Sequence, residues 1–275
     1  MGAFKRILVF VGVIGGLVGL IGCESKQSKT EETQVVHVKL GVVGDSNEVW
    51  EPIIEKLQEE KIEIELVKFS DYTQPNIALE NGDIDLNAYQ GYVLMDEFNK
   101  TQGGHLTAIG ETVLNPIGLY SDSFLSVAEI AEGSEVAIAN DPVNAARGLL
   151  LLQSAGLITL DYKEGTNPTV DSISKNPKNI KIIELEAAQT ARSLSDVGAS
   201  VINVFMALDA GFIPKDDAIF IEPVNEDSKP YHNIIVAREE NKNNPIYKKI
   251  VDAYRSDESK QLIDKLYKGS VLPLW

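Results

Sequence analysis

The chain has one cysteine, three histidines and two tryptophans, and its longest apolar run is too short to cross a bilayer as a helix. A single cysteine excludes a disulfide framework. That residue, Cys23, closes the N-terminal apolar run, so it is not available as a thiol nucleophile. The histidines, His37, His105 and His232, lie far apart, and none falls in a nucleophile or metal motif. No cofactor and no metal site is implied. Positive charge is scarce as well: 25 Lys and Arg stand against 41 Asp and Glu, a net charge of −16. Such a balance argues against nucleic acid as a partner and against a polybasic grip on anionic lipid. Acid pairs such as Asp83 and Asp85 read as solvated residues at a sheet end, a simpler account than acid–base chemistry. No internal repeat of useful period is present.

What is there begins at the N-terminus. Lys5 and Arg6 precede an uninterrupted apolar and glycine run from Ile7 to Gly22. These are the positive and apolar regions of a secretory signal, residues 1–22. The stretch Leu20-Ile21-Gly22-Cys23 looks like a lipobox, the pattern cut before a cysteine first linked to diacylglycerol. Two or more acyl chains, such as diacylglycerol and a further palmitate, suffice for stable anchoring. The plainer alternative for Cys23 is a buried spare thiol. Residues 23–35 are polar and rich in lysine and acid, which reads as a flexible tether. The expected location is the extracytoplasmic face of the cell membrane, lipid-anchored.

Beyond the tether, strands alternate with helices. Strands are expected at His37–Val43, Ile62–Phe69, Asp83–Tyr89, Val136–Ala139, Lys181–Leu185, Ala199–Val204, Ala218–Ile221 and Asn233–Ala237, from their apolar alternation. An extended stretch runs from Leu106 to Tyr120, broken at Asn115-Pro116. Helices are expected after the cap Asp45–Glu48, from Gln74-Pro75 to Asn81-Gly82, over Gly91–Lys100, after Ser126–Glu129, and from Asn140-Asp141-Pro142 to Gly156. Others are expected over Glu186–Leu194, in a short segment ending at Gly211, and over Pro245–Tyr254 and Asp257–Tyr267. The fold class is α/β, with mixed sheets and flanking helices.

Several stretches then resemble the NlpA family of lipoproteins, which includes methionine-binding solute receptors. They are Phe69-Ser70-Asp71-Tyr72-Thr73-Gln74-Pro75-Asn76, Asn81-Gly82-Asp83-Ile84-Asp85 and Pro116-Ile117-Gly118-Leu119-Tyr120-Ser121. Asn140-Asp141-Pro142 with Arg147, Glu184 to Gln189, Val201-Ile202-Asn203 and Tyr231 to Val236 follow in the same order. The resemblance implies a two-lobed, periplasmic-binding-protein-like fold of type II, with a ligand cleft between the lobes. Crossings near Asn115 and Pro223 would divide it into lobe 1 (36–114 and 224–275) and lobe 2 (115–223). It further implies the substrate-binding lipoprotein of an ABC importer, not an enzyme. The partners would be a small amino-acid-like ligand such as methionine or a short peptide, a permease with its ATPase, and a membrane held through Cys23.

A buried amino acid needs partners for both of its charges and a dry pocket for its side chain. The resemblance assigns Arg147, Asn203 and Asn233 to the charged groups, and Phe69, Tyr72, Tyr89 and Tyr92 to an aromatic wall. The plain alternatives are a solvated helix residue for Arg147, turn residues for the asparagines and a core position for Phe69. The chain departs from the methionine-binding pattern at Gly91, where histidine is usual, at Asn115, where glutamate is usual, and in the apolar run Val204-Phe205-Met206. Loss of the imidazole leaves room expected beside Gly91. A rival reading is a surface lipoprotein or adhesin that keeps the fold and has lost or changed its ligand.

Overall fold

Two periodicities start the fold. Alternation along the strand Val36–Val43 sets Val38, Leu40 and Val42 on one face. Helical spacing sets Trp50, Ile53 and Leu57 on one face of the helix Trp50–Glu59. Burying these two faces together begins a wrap that continues through the strand Ile62–Phe69, the helix Gln74–Asn81 and the strand Leu86–Gly91. The computed structural model describes residues 34–275; the leader, the lipobox and Cys23 lie outside the described residues.

The three opening strands are parallel. His232–Arg238 joins them antiparallel, Leu106–Leu114 pairs antiparallel with its far side, and Leu272–Pro273 adds an edge. The helices Pro245–Tyr254 and Asp257–Tyr267 cover the same face as Trp50–Glu59, burying Tyr254, Ile250 and Ile263. Leu79, Ile84 and Met95, the last from the helix Tyr92–Gln102, cover the other face. His232–Arg238 lies between both layers, so Ile235 and Ala237 enter one core and Ile234 and Val236 the other.

The second sheet places Glu135–Ala139 parallel to Lys181–Leu185 and Ala199–Ile202, with Gly118–Tyr120 antiparallel to Ala199–Ile202 and Phe220–Ile221 antiparallel to Gly118–Tyr120 at the edge. The helix Pro142–Ser154 packs Leu149 and Leu152 on Leu119, Ile138 and Val201. The chain passes from the first sheet to the second between Leu114 and Gly118 and returns between Ile221 and His232. An apolar cluster joins the two halves: Val43, Tyr72 and Tyr89 meet Tyr120, Ala139, Ile202 and Met206.

Several expectations give way to local physics. Asp45–Glu48 caps no helix: the amides of Asp45 and Ser46 donate to the Asp209 carboxylate at 2.9 and 2.8 Å, and the helix starts at Trp50 without a side-chain cap. Asp83 and Asp85 precede the strand, because Gly82 ends the previous helix in the left-handed region (φ +81°) and Asp85 is turned to accept from the Lys39 amide at 2.8 Å. Val127–Glu129 makes a single 3₁₀ turn. The expected helix over Glu186–Leu194 divides into Ala187–Thr190 and the 3₁₀ turn Arg192–Ser195, with the Thr190 carbonyl taken by Ser193 and Ser200 hydroxyls.

Candidate functional site

A small cavity of about 40 Å³ lies where the two halves meet. Its polar side is built on the helix Pro142–Ser154. Asp141 is the N-cap, accepting from the Asn144 amide at 3.0 Å, and Pro142 occupies the first turn, where its missing N–H costs nothing. This start fixes Asn144 and Arg147 one turn apart, both buried and both facing the cavity.

The Asp141 carboxylate also accepts from the Asn144 side-chain amide at 2.9 and 3.1 Å. An ionised carboxylate only accepts, so Asn144 must present its Nδ2 there and its Oδ1 elsewhere. That Oδ1 accepts from Asn203 Nδ2 at 2.8 Å. The relay therefore leaves Asn203 Oδ1 as an acceptor with no donor among the described residues. Burial pushes the Asp141 carboxyl above its usual range, and the Asn144 donors oppose that shift.

Arg147 is held on three sides. Its Nε and Nη2 donate to the Glu222 carboxylate at 2.9 and 2.6 Å, and Nη2 also donates to the Asn115 carbonyl at 2.9 Å. The Tyr231 ring lies under the guanidinium, 4.2 Å from centroid to Cζ, a cation–π contact. Among the described residues nothing accepts from Nη1, so that edge of the fork is free for a carboxylate. Glu222 Oε2 also accepts from the Ile117 amide at 3.2 Å. Arg147 and Glu222 thus tie together the two segments where the chain passes between the sheets.

The opposite wall is apolar. Tyr72 and Tyr89 are buried with ring centroids 6.0 Å apart, and the Tyr89 hydroxyl donates to the Tyr72 carbonyl at 3.1 Å. Burial raises both phenols well above their usual range, so the rings stay neutral. Leu94 extends this surface, and Ile117, Val143 and Phe205 add apolar lining from the other half. Gln90 also borders the cavity, but its amide is consumed by Asn76 and Asn87, with Nε2 donating to Asn87 Oδ1 at 2.9 Å and Oε1 accepting from Asn76 at 2.8 Å. Asn233 also lines the cavity, and Asn115 Oδ1 is buried there without a partner among the described residues.

Of the residues singled out in the sequence, Tyr72, Tyr89, Arg147, Asn203 and Asn233 come together at this cavity. Phe69 and Tyr92 lie elsewhere. Phe69 ends its strand packed among apolar neighbours and borders a separate surface hollow with Asp209. Tyr92 turns outward, its hydroxyl donating to Glu111 at 3.1 Å, and burial with the Glu111 charge raises it to about 12. The room expected beside Gly91 is filled: an added Cβ would lie 3.0 Å from the Pro230 carbonyl oxygen and from Tyr231 backbone atoms. Asn144, Tyr231 and Glu222 were not singled out as site residues. Only Asn144 has a local signal, its place three residues after an aspartate N-cap. No group of three or more metal-ligating side chains is placed to hold an ion among the described residues.

A cavity where two α/β halves meet, with one arginine, a set of carboxamides and an aromatic wall, has the form of a substrate-binding site. The chain belongs to the NlpA lipoprotein family, whose model matches residues 38–275. It is 42% identical over 249 residues to the D-methionine-binding lipoprotein MetQ of Escherichia coli K12, covering 89% of this chain and 91% of that protein. A solved nutrient-binding protein from Burkholderia cenocepacia bound to methionine superposes with TM-score 0.81 at 41% identity, over 86% of this chain and 100% of that one. The substrate-binding protein of a methionine transporter from Streptococcus pneumoniae superposes with TM-score 0.83 at 39% identity, over 87% and 96%. No helix of the described residues is long and apolar enough to cross a membrane.

Proposed function

We propose that this chain is the substrate-binding lipoprotein of an ABC importer and that the cavity takes methionine or a related apolar amino acid or short peptide. One observation carries the reading: the free Nη1 edge of Arg147 and the free Oδ1 of Asn203 face one cavity with an aromatic wall. A carboxylate, an ammonium group and an apolar side chain each find a matching surface there. Tyr72, Tyr89, Arg147, Asn203 and Asn233 are the ligand contacts in this account. Phe69 supports the wall from behind, and Tyr92 stands outside the cavity, bonded to Glu111. Residues 36–114 with 224–275 form lobe 1 and residues 115–223 lobe 2; opening about the two crossings admits the ligand, and closure presents it to a permease and its ATPase. Cys23 carries the lipid that keeps the protein at the extracytoplasmic face of the membrane.

The similarity to methionine-binding proteins supports the ligand class, and Asn115 and Gly91 set its limits. Useful capture needs roughly micromolar affinity, about 8 kcal/mol. The test is calorimetric titration of the ligand-stripped intact chain in detergent with L-methionine. Tight one-to-one binding is expected. Absence of heat together with no thermal stabilisation at millimolar L-methionine would refute the methionine reading and leave short peptides or a receptor without ligand.

A further inference from the structure

Among the described residues Arg147 is the single charged residue lining the cavity; the polar remainder is the carboxamides of Gln90, Asn115, Asn144, Asn203 and Asn233, with tyrosine hydroxyls. Glu222 does not line it, yet both of its oxygens are spent on Arg147, at 2.9 and 2.6 Å, and on the Ile117 amide. The side chains of Arg147 and Glu222 are only 9% and 16% exposed. The charge of the arginine is therefore cancelled within a site that excludes most water; the next carboxylate, Asp141, stands behind the lining with its oxygens taken by Asn144, so the lining itself carries no uncancelled charge.

Burying an unbalanced ion in such a place is costly, whereas a ligand whose own charges cancel brings no net charge into it. We infer that Glu222 is a specificity-determining residue that never touches the ligand: by cancelling Arg147 it restricts the cavity to molecules of zero net charge, the zwitterionic amino acids. A carboxylate alone meets an arginine already neutralised. An amine alone meets only amide oxygens. The inference rests on the amino-acid reading above.

The two readings separate in one set of titrations on the intact chain. The probes are L-methionine, 4-(methylthio)butanoate, which lacks the ammonium, and 3-(methylthio)propylamine, which lacks the carboxylate. None is bulkier than methionine, so size does not discriminate among them. The wild-type chain binds methionine far more tightly than either. In Glu222→Gln the positive charge of Arg147 is left uncancelled at the lining, and the affinity ratio of the butanoate to methionine rises by about tenfold or more. Glu222→Asp keeps the charge and keeps the wild-type ratio, which a merely structural role would not produce. Asn115→Asp is nearly isosteric, leaves Glu222 in place and adds a negative charge to the lining beside Arg147, so it moves selectivity the other way, toward the amine.

A folded Glu222→Gln chain with an unchanged ratio, or an Asn115→Asp chain with no shift toward the amine, overturns the inference while the amino-acid reading stands. Failure of the wild-type chain to bind any of the three probes overturns both.

Discussion

The two walls of the cavity differ in how they are built. The wall from the first sheet is aromatic and rests on packing: Tyr72 and Tyr89 are buried rings, held by one hydroxyl-to-carbonyl bond and the apolar cluster behind them. The wall from the second sheet is polar and rests on directed bonds, the Asp141–Asn144–Asn203 relay and the Arg147–Glu222 fork. Packing tolerates changes of side-chain shape, while directed bonds fix where charge must lie. A receptor divided in this way holds a constant head group and leaves the choice of side chain to its aromatic wall.

The sharpest way to break this division is Arg147→Ala. It removes the carboxylate partner and strands Glu222, so binding should vanish and unfolding free energy should fall by about 3–5 kcal/mol, read by calorimetry and denaturant melts. Tyr72→Ala attacks the other wall. It should cost about 3 kcal/mol of stability and at least tenfold in methionine affinity, with less loss for alanine, whose small side chain makes little use of the ring. Gly91→Ala presses a methyl against the Pro230–Tyr231 backbone and should cost about 1–3 kcal/mol, with weaker binding because Tyr231 underlies Arg147.

Two smaller changes sharpen the polar side. Asn203→Ala removes the free acceptor at the end of the relay and should weaken methionine binding by about tenfold, with a near-wild-type melting temperature. Asp141→Asn keeps a competent N-cap and removes a buried charge. The folded Asp141 value is raised, so its contribution to stability is complete below the ordinary carboxylate range and is lost as pH rises through the raised value. The variant should therefore match wild type at low pH and become relatively more stable toward neutral pH. Parallel melts at stepped pH check the sign.

Much of the fold is written in local signals. The helices Pro245–Tyr254 and Asp257–Tyr267 fall where an asparagine and a serine cap precede their apolar stripes, and the caps are made: Asn244 accepts from the Ile246 amide and Ser256 from the Ser259 amide. Where a distant partner intervenes, the local signal fails. Asp45 and Ser46 look like a cap until Asp209 takes their amides. The edge strand Leu272–Pro273 and the hairpin Thr159–Leu160 with Ile173–Lys175 are too short to carry a period.

The site divides in the same way. Arg147 and Asn203 are legible through the family resemblance, but what they hold is not. Asn144 stands 59 residues from Asn203, and Glu222 stands 75 from Arg147. Pairings of that span depend on the sheet order, which no local pattern encodes. Tyr92 and Phe69 fit the pattern of an aromatic wall, yet Tyr92, opening its helix, turns to Glu111, and Phe69, ending its strand, turns into packing.

The division of labour between the walls is tested most directly by a crystal structure of the chain with L-methionine bound. The account predicts the carboxylate on Arg147 Nη1, the ammonium on Asn203 Oδ1 and the thioether between Tyr72 and Tyr89. A ligand lying outside this cavity, or one with its carboxylate against the tyrosine wall, would contradict it.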